Sequence, residues 1–163
     1  MKKTLITGLL IILLFILDNT VMPFLVIYNY YPSVLFVFII SFSIINGKWQ
    51  GLWVGVFAGI LEDIFFGNAF GINCLLNMLL CVLAGEIGLN IFKNKRFVPM
   101  ASTLGLSVLK GVGIFVILRI LGQHTNIYTA FFKAIYEMCI CLFLYRPIYK
   151  LYHRDYMKKE WKF

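Results

Sequence analysis

Long apolar runs, broken at short intervals by a few polar or glycine residues, follow one another from Leu5 to Leu144. A helix that crosses a bilayer takes about 20 such residues. Six runs qualify as candidates: 5–26, 33–45, 51–66, 72–92, 101–121 and 127–144. Pro23 falls in the last turns of the first, where it ends or kinks the helix. Pro32 suits the first turn of the second. The Tyr28-Asn29-Tyr30-Tyr31 link between them fits an interfacial aromatic belt. The second run is short, which leaves it spanning a thinned bilayer, borrowing the Tyr-rich link, re-entering, or being accommodated by neighbouring helices. Polar turns are expected at 46–50, 67–71 and 122–126, and Arg146-Pro147 is expected to close the sixth run.

Composition turns this pattern into a solvent argument. The 163 residues are 61% hydrophobic and 13% charged, against about 45–50% and about 25% in soluble domains. Water alone has no place for that surplus, so lipid is part of the solvent. The expected fold class is all-α: a polytopic membrane protein with a transmembrane domain over 1–145 and a basic tail over 146–163. The Lys2-Lys3 start and the run after it imitate a signal peptide, but the run passes Asp18-Asn19-Thr20 and resumes with no small-residue cleavage site. An uncleaved first span is expected.

The net charge of +8 does not point to nucleic acid, because the cations form clusters between apolar runs and no stripe along one face. Of 15 Lys and Arg, only Lys110, Arg119 and Lys133 lie inside candidate spans. The rest fall in the N-terminus, the 46–50 turn, the 93–99 loop and the tail. The alternate connections carry none. With six spans the positive-inside rule puts both termini in the cytoplasm of a cell whose plasma membrane holds the chain. In the tail, Tyr145, Ile148, Tyr149, Tyr152 and Tyr156 share a helical face among basic residues. This reads either as an amphipathic helix on anionic lipid or as a solvated basic tail.

Charges within spans carry the most information, since each costs about 2.5–3.5 kcal/mol at a helix centre on insertion scales. They are Asp18, Glu62, Asp63, Glu86, Lys110, Lys133 and Glu137, besides Arg119, which can snorkel. Lys133 and Glu137 stand i,i+4 and can neutralise each other. Lys110 has Asp63 and Glu137 as candidate partners across helices. An ion pathway or polar pocket is the functional reading, and helix-to-helix pairing is the plainer one.

Gly51, Gly55 and Gly59 recur every four residues, and Asp63, Gly67 and Gly71 continue the count. The first three make a groove that lets another backbone approach closely, within this chain or from a partner. Gly67 and Gly71 bracket a turn, and Asp63 is placed to hydrogen-bond it. No catalytic set is legible: His124 and His153 are the only histidines, and there is no H-E-x-x-H, phosphate loop or G-x-S-x-G. Cys74, Cys81, Cys139 and Cys141 sit in apolar runs without C-x-x-C spacing and read as small apolar side chains. No enzyme, metal or cofactor is expected.

The stretch Gly51-Leu-Trp-Val-Gly55-Val-Phe-Ala-Gly59-Ile-Leu-Glu-Asp63-Ile-Phe-Phe-Gly67-Asn-Ala-Phe-Gly71-Ile-Asn73 resembles the MreD family of rod-shape-determining proteins. The Pro32-led helix, the length and the six runs agree with it. The resemblance implies a non-catalytic subunit of the bacterial elongation complex, working in lateral peptidoglycan synthesis with MreC, the actin-like MreB, and a cell-wall glycosyltransferase and transpeptidase. It implies a bundle like that of the vitamin-binding S-components of energy-coupling-factor transporters, which are the alternative reading. Those show an A-x-x-x-A-like motif in the first helix, whereas 4–17 contains no alanine.

Overall fold

A computed structural model describes residues 2–25, 32–65, 70–90, 97–122 and 128–152. The described residues form six α-helices and no strand: α1 (Lys2–Thr20), α2 (Val34–Asn46), α3 (Lys48–Phe65), α4 (Ile72–Asn90), α5 (Phe97–Ile120) and α6 (Tyr128–Tyr152). A 3₁₀ turn, Met22–Leu25, follows α1 and contains Pro23. The helix therefore stops before the proline, sooner than the apolar run does. Two helices, over Ile72–Leu89 and Pro99–Ile120, are long and apolar enough to cross a membrane.

The short α2 is the axis of the bundle. It touches α1, α3, α4, α5 and α6, and every residue from Val34 to Ile45 is buried. A helix that is apolar all round needs cover on every side. Here neighbouring helices supply it, so α2 rises only about 20 Å at 1.5 Å per residue without meeting lipid along its length.

Its connection to α3 is shorter than the expected five-residue turn. Gly47 alone links them, with φ of 90° and its N–H donated to the Ser43 carbonyl. Only glycine adopts that dihedral at little cost.

The sixth helix is longer than expected. It continues through Arg146-Pro147 to Tyr152. Pro147 removes one backbone donor, a loss that helices packed against neighbours tolerate. Tyr145, Ile148 and Tyr152 are buried in the core, so this part of the proposed tail helix packs on protein. The Tyr152 hydroxyl bonds Thr7 of α1 at 2.9 Å, and its ring meets Phe42 of α2 edge-on at 5.0 Å. Tyr156 and the rest of the tail lie outside the described residues.

Polar and apolar positions are inverted relative to a water-soluble bundle. Glu62, Asp63, Asn77, Thr103, Ser107, Lys110 and Glu137 are buried, while Trp53 is 71%, Ile120 80% and Phe143 80% exposed. Large apolar surfaces of this kind mark contact with a non-aqueous partner.

Candidate functional site

The N-terminal end of α2 is where buried charge gathers. A helix leaves its first N–H groups without intrahelical partners, and α2 begins beneath other helices, away from bulk water. Two carboxylates from flanking helices meet that need. Asp18 of α1 accepts from the Ser33 hydroxyl (2.9 Å) and from the backbone N–H groups of Val34 (2.9 Å) and Leu35 (3.0 Å). Glu137 of α6 accepts from the Ser33 backbone N–H at 3.2 Å and from the Ser107 hydroxyl of α5. Ser33 itself caps the helix by accepting from the Phe36 N–H at 3.1 Å. Negative charge at this pole also opposes the helix dipole favourably.

Beside this cap stands an ion pair. Lys110 of α5 donates to Glu62 of α3 at 2.9 Å, with the two side chains 8% and 9% exposed. The ammonium also lies 4.5 Å from the centre of the Phe36 ring, a cation–π arrangement. Asn77 of α4 donates to the same Glu62 oxygen at 3.2 Å. The expected partners of Lys110 were Asp63 and Glu137. Neither takes that place: adjacent residues on a helix point about 100° apart, and Glu62, not Asp63, faces α5. Lys133 lies 3.9 Å from Glu137, as the i,i+4 spacing anticipates, and is 37% exposed.

Asp63 turns to the α3–α4 connection. It accepts from the backbone N–H groups of Gly71 (3.0 Å), Asn73 (3.0 Å) and Cys74 (2.9 Å), and from the Asn73 side chain (3.1 Å). It is the cap of α4, supplied from the preceding helix. Gly71 has φ of 99°, so the turn requires its glycine. Gly67 lies outside the described residues.

The three helical glycines of α3 are spent within the chain. A Cβ on Gly51 would meet the Ser43 side chain of α2 at 2.5–2.8 Å, and one on Gly55 would stand 2.7 Å from the Asn77 carbonyl oxygen of α4. A Cβ on Gly59 would run into the Cys74 backbone. Two glycines that the spacing argument passed over complete the seam: Gly85 and Gly88 of α4 lie against the backbone of Gly47–Lys48 and of Ile44. They are three apart, not four, and only the fold shows that α4 crosses the α2–α3 reversal there. Glu86 pairs with Lys48 at 2.5 Å across the same end of the seam. Ser41, Thr103 and Cys141 form a further small polar junction of α2, α5 and α6, with Thr103 donating to the Cys141 sulfur at 3.3 Å.

Between α1, α3, α4, α5 and α6, next to the cap of α2, lies a cavity of about 290 Å³. Asp18, Asn19, Glu62, Asn73, Lys110 and Lys133 supply its polar wall, and Phe15, Leu35 and Ile114 part of its apolar wall. Asp63, Glu86 and the helical glycines stay outside it. The arrangement can hold a small polar or charged group by hydrogen bonds and ion pairs. No trio of His, Cys, Asp or Glu with metal-binding geometry occurs among the described residues.

No curated protein and no solved structure matches the chain. The family described as rod shape-determining protein MreD matches residues 1–154 of the 163. That match covers all six helices, the Asp18 and Asp63 caps, the glycine seam and the charged cavity alike, and the chain belongs to the MreD family of bacterial membrane proteins linked to rod shape determination.

Proposed function

We propose that this chain is a non-catalytic, multi-pass scaffold of the bacterial cell-elongation machinery. Six helices cross the plasma membrane with both termini in the cytoplasm, and the protein serves lateral peptidoglycan synthesis. Its partners on this reading are MreC and, through it or beside it, MreB and the wall-building glycosyltransferase and transpeptidase. The observation that carries the reading is the family match along 1–154. Two physical features agree with it. Apolar side chains cover the outside of α1, α3, α5 and α6 while Glu62, Asp63, Lys110 and Glu137 are kept inside, an arrangement that needs lipid or partner helices around it. The basic residues at 2–3, 48, 93–96 and 146–162 alternate with uncharged connections, as a six-span topology requires.

The glycine groove of α3 is occupied by α4 and α2. Partner capture therefore falls to the exposed apolar faces, and the glycines act by holding those faces in place. Depletion of the protein in its own host tests the proposal. Rod-shaped cells should round or swell while growing normally without added vitamins. Unchanged shape with a new vitamin requirement would replace this reading with the transporter S-component.

A further inference from the structure

A second cavity, a groove of about 460 Å³, opens to the outside of the bundle between α1 and α3, over the buried ring of Phe42. On α1 it is lined by Thr4, Thr7, Gly8 and Ile11, which share one helical face at i, i+3, i+4 and i+7. On α3 it is lined by Gln50, Trp53 and Phe57. Thr4 and Gln50 lie nearest the starts of their helices, so one end of the groove is polar and the other apolar. A Cβ on Gly8 would meet nothing within 4 Å, whereas the glycines of the α3–α4 seam are each met by a neighbouring helix. The side chain missing at Gly8 makes room for something outside this chain.

The groove is short. Seven residues of helix rise about 10 Å, and farther along α1 and α3 meet again, with Phe15 edge-on to Phe65 at 5.0 Å. A hydrocarbon core is about 30 Å thick, so the groove stays within one leaflet. A partner helix that crosses the bilayer would run past it, whereas a lipid occupies one leaflet only. Trp49 and Trp53, 72% and 71% exposed, stand a turn apart at the polar end, as tryptophans do at the membrane interface.

Charge selects the lipid. The helix ends at the polar mouth are the start of α1, the α2–α3 reversal and the end of α6, which the Tyr152–Thr7 bond holds against α1. Residues 2–8, 46–50 and 145–152 contain Lys2, Lys3, Lys48, Arg146 and Lys150 and no acid. Glu86 of α4 neutralises Lys48, and the rest is an excess of positive charge. Basic clusters at a membrane surface favour anionic lipid. We propose that the groove binds one anionic phospholipid of the cytoplasmic leaflet, an acyl chain lying over Gly8 between Ile11 and Phe57 and the phosphate headgroup at the end that carries Lys2, Lys3 and Lys48. The site takes its leaflet from the six-span orientation proposed above, on which it rests, and takes nothing from the role in cell shape.

The test offers the full chain, purified in a maltoside detergent, equimolar phosphatidylglycerol, phosphatidylethanolamine and phosphatidylcholine, with native mass spectrometry as the readout. One retained phosphatidylglycerol is expected, and Gly8→Leu, whose side chain fills the groove, should lower its retention tenfold or more. Gly105→Leu on α5 is the control, since a Cβ there also meets nothing within 4 Å, and it should retain lipid like the parent. Lys2→Gln combined with Lys3→Gln should keep one lipid and lose the preference for phosphatidylglycerol. Equal retention of the three lipids by the parent, undiminished retention in Gly8→Leu, an equal fall in Gly105→Leu, or an unchanged preference in the double variant overturns the proposal. So does retention that appears only when residues 153–163 are deleted, which gives the groove to the chain's own tail, or a lipid-free dimer that Gly8→Leu dissociates, which gives it to a second copy. A C-terminal fusion that fluoresces only in the cytoplasm reads the orientation by itself. A dark fusion overturns the six-span orientation and with it the leaflet, whatever lipid is retained, whereas a bright fusion without selective retention overturns the site alone.

Discussion

The α3–α4 seam and the cavity at the head of α2 lie side by side and are built on opposite terms. In the seam, Gly55 and Gly59 let the backbone of α4 approach at distances no Cβ could share, and Gly51 leaves room for the Ser43 side chain. Its one deep charge, Asp63, is fully engaged by the start of α4. At the cavity the helices stand apart, and the polar wall carries both acids and lysines. Adjacent carboxylates, Glu62 and Asp63, serve the two regions separately because a helix turns them to different neighbours. A membrane bundle gains little from burying apolar surface against itself, since lipid is equally apolar. It holds together through close approach in one region and through polar matching in the other. Only the second leaves room for anything besides the chain.

The sharpest way to break this contrast is Gly59→Leu. A leucine there has to displace the Cys74 backbone of α4, which no rotamer change relieves. Overpacking ordinarily costs about 1–3 kcal/mol and more where backbone cannot yield. The expected outcome is loss of the monodisperse, thermally cooperative protein in detergent. A Gly59→Leu variant that purifies and melts like the parent would show the seam to be loose.

The next effect tests the cavity wall. Lys110→Met leaves Glu62 buried with its principal cation gone, and removing one partner of a buried pair costs about 3–5 kcal/mol. Pairing it with Glu62→Gln removes both charges, and a substantial part of the loss should return. Thermal unfolding of the two single variants and the double variant measures the coupling. Strictly additive losses would mean that the ion pair does not act as a unit.

Much of this architecture was legible in the sequence. The apolar runs located all six helices, and the spacing of Gly51, Gly55 and Gly59 located the face that packs. Helix ends were less legible. Pro147 sits inside α6 and Pro23 beyond α1, because tertiary packing decides whether a proline is absorbed. The charges within the apolar runs could be named, but of their pairings the spacing gave only Lys133 with Glu137. Asp18 looked like an isolated cost, and its explanation is the set of backbone amides at residues 34 and 35, which no side-chain pattern announces. Asn77, Gly85 and Gly88 gave no signal above the apolar background. Their importance comes from what crosses them.

The two aspartates offer a finer comparison, since both cap a helix that begins beneath its neighbours. Asp63 receives three backbone N–H groups and one side-chain amide, split between its two oxygens. Asp18 receives two backbone N–H groups and one hydroxyl. An asparagine has the same shape but offers one carbonyl oxygen, and its NH₂ faces donors where the second oxygen stood. Asp63→Asn therefore sets an amide against two donors that cannot reorient, with a loss of about 2 kcal/mol expected from hydrogen bonds to a charged group. Asp18→Asn should cost less. The Ser33 hydroxyl shares Oδ2 with Leu35 and can rotate to accept from the new amide, and Val34 keeps the remaining oxygen, so one fixed backbone donor, the Leu35 N–H, is left facing the amide where Asp63→Asn leaves two. Thermal melts of the two variants, run side by side, read the difference. A larger loss at Asp18 than at Asp63 would mean that the cavity end, with its neighbouring Glu62 and Glu137, depends on the Asp18 charge beyond its hydrogen bonds, and that the cap of α2 is an electrostatic device as well as a geometric one.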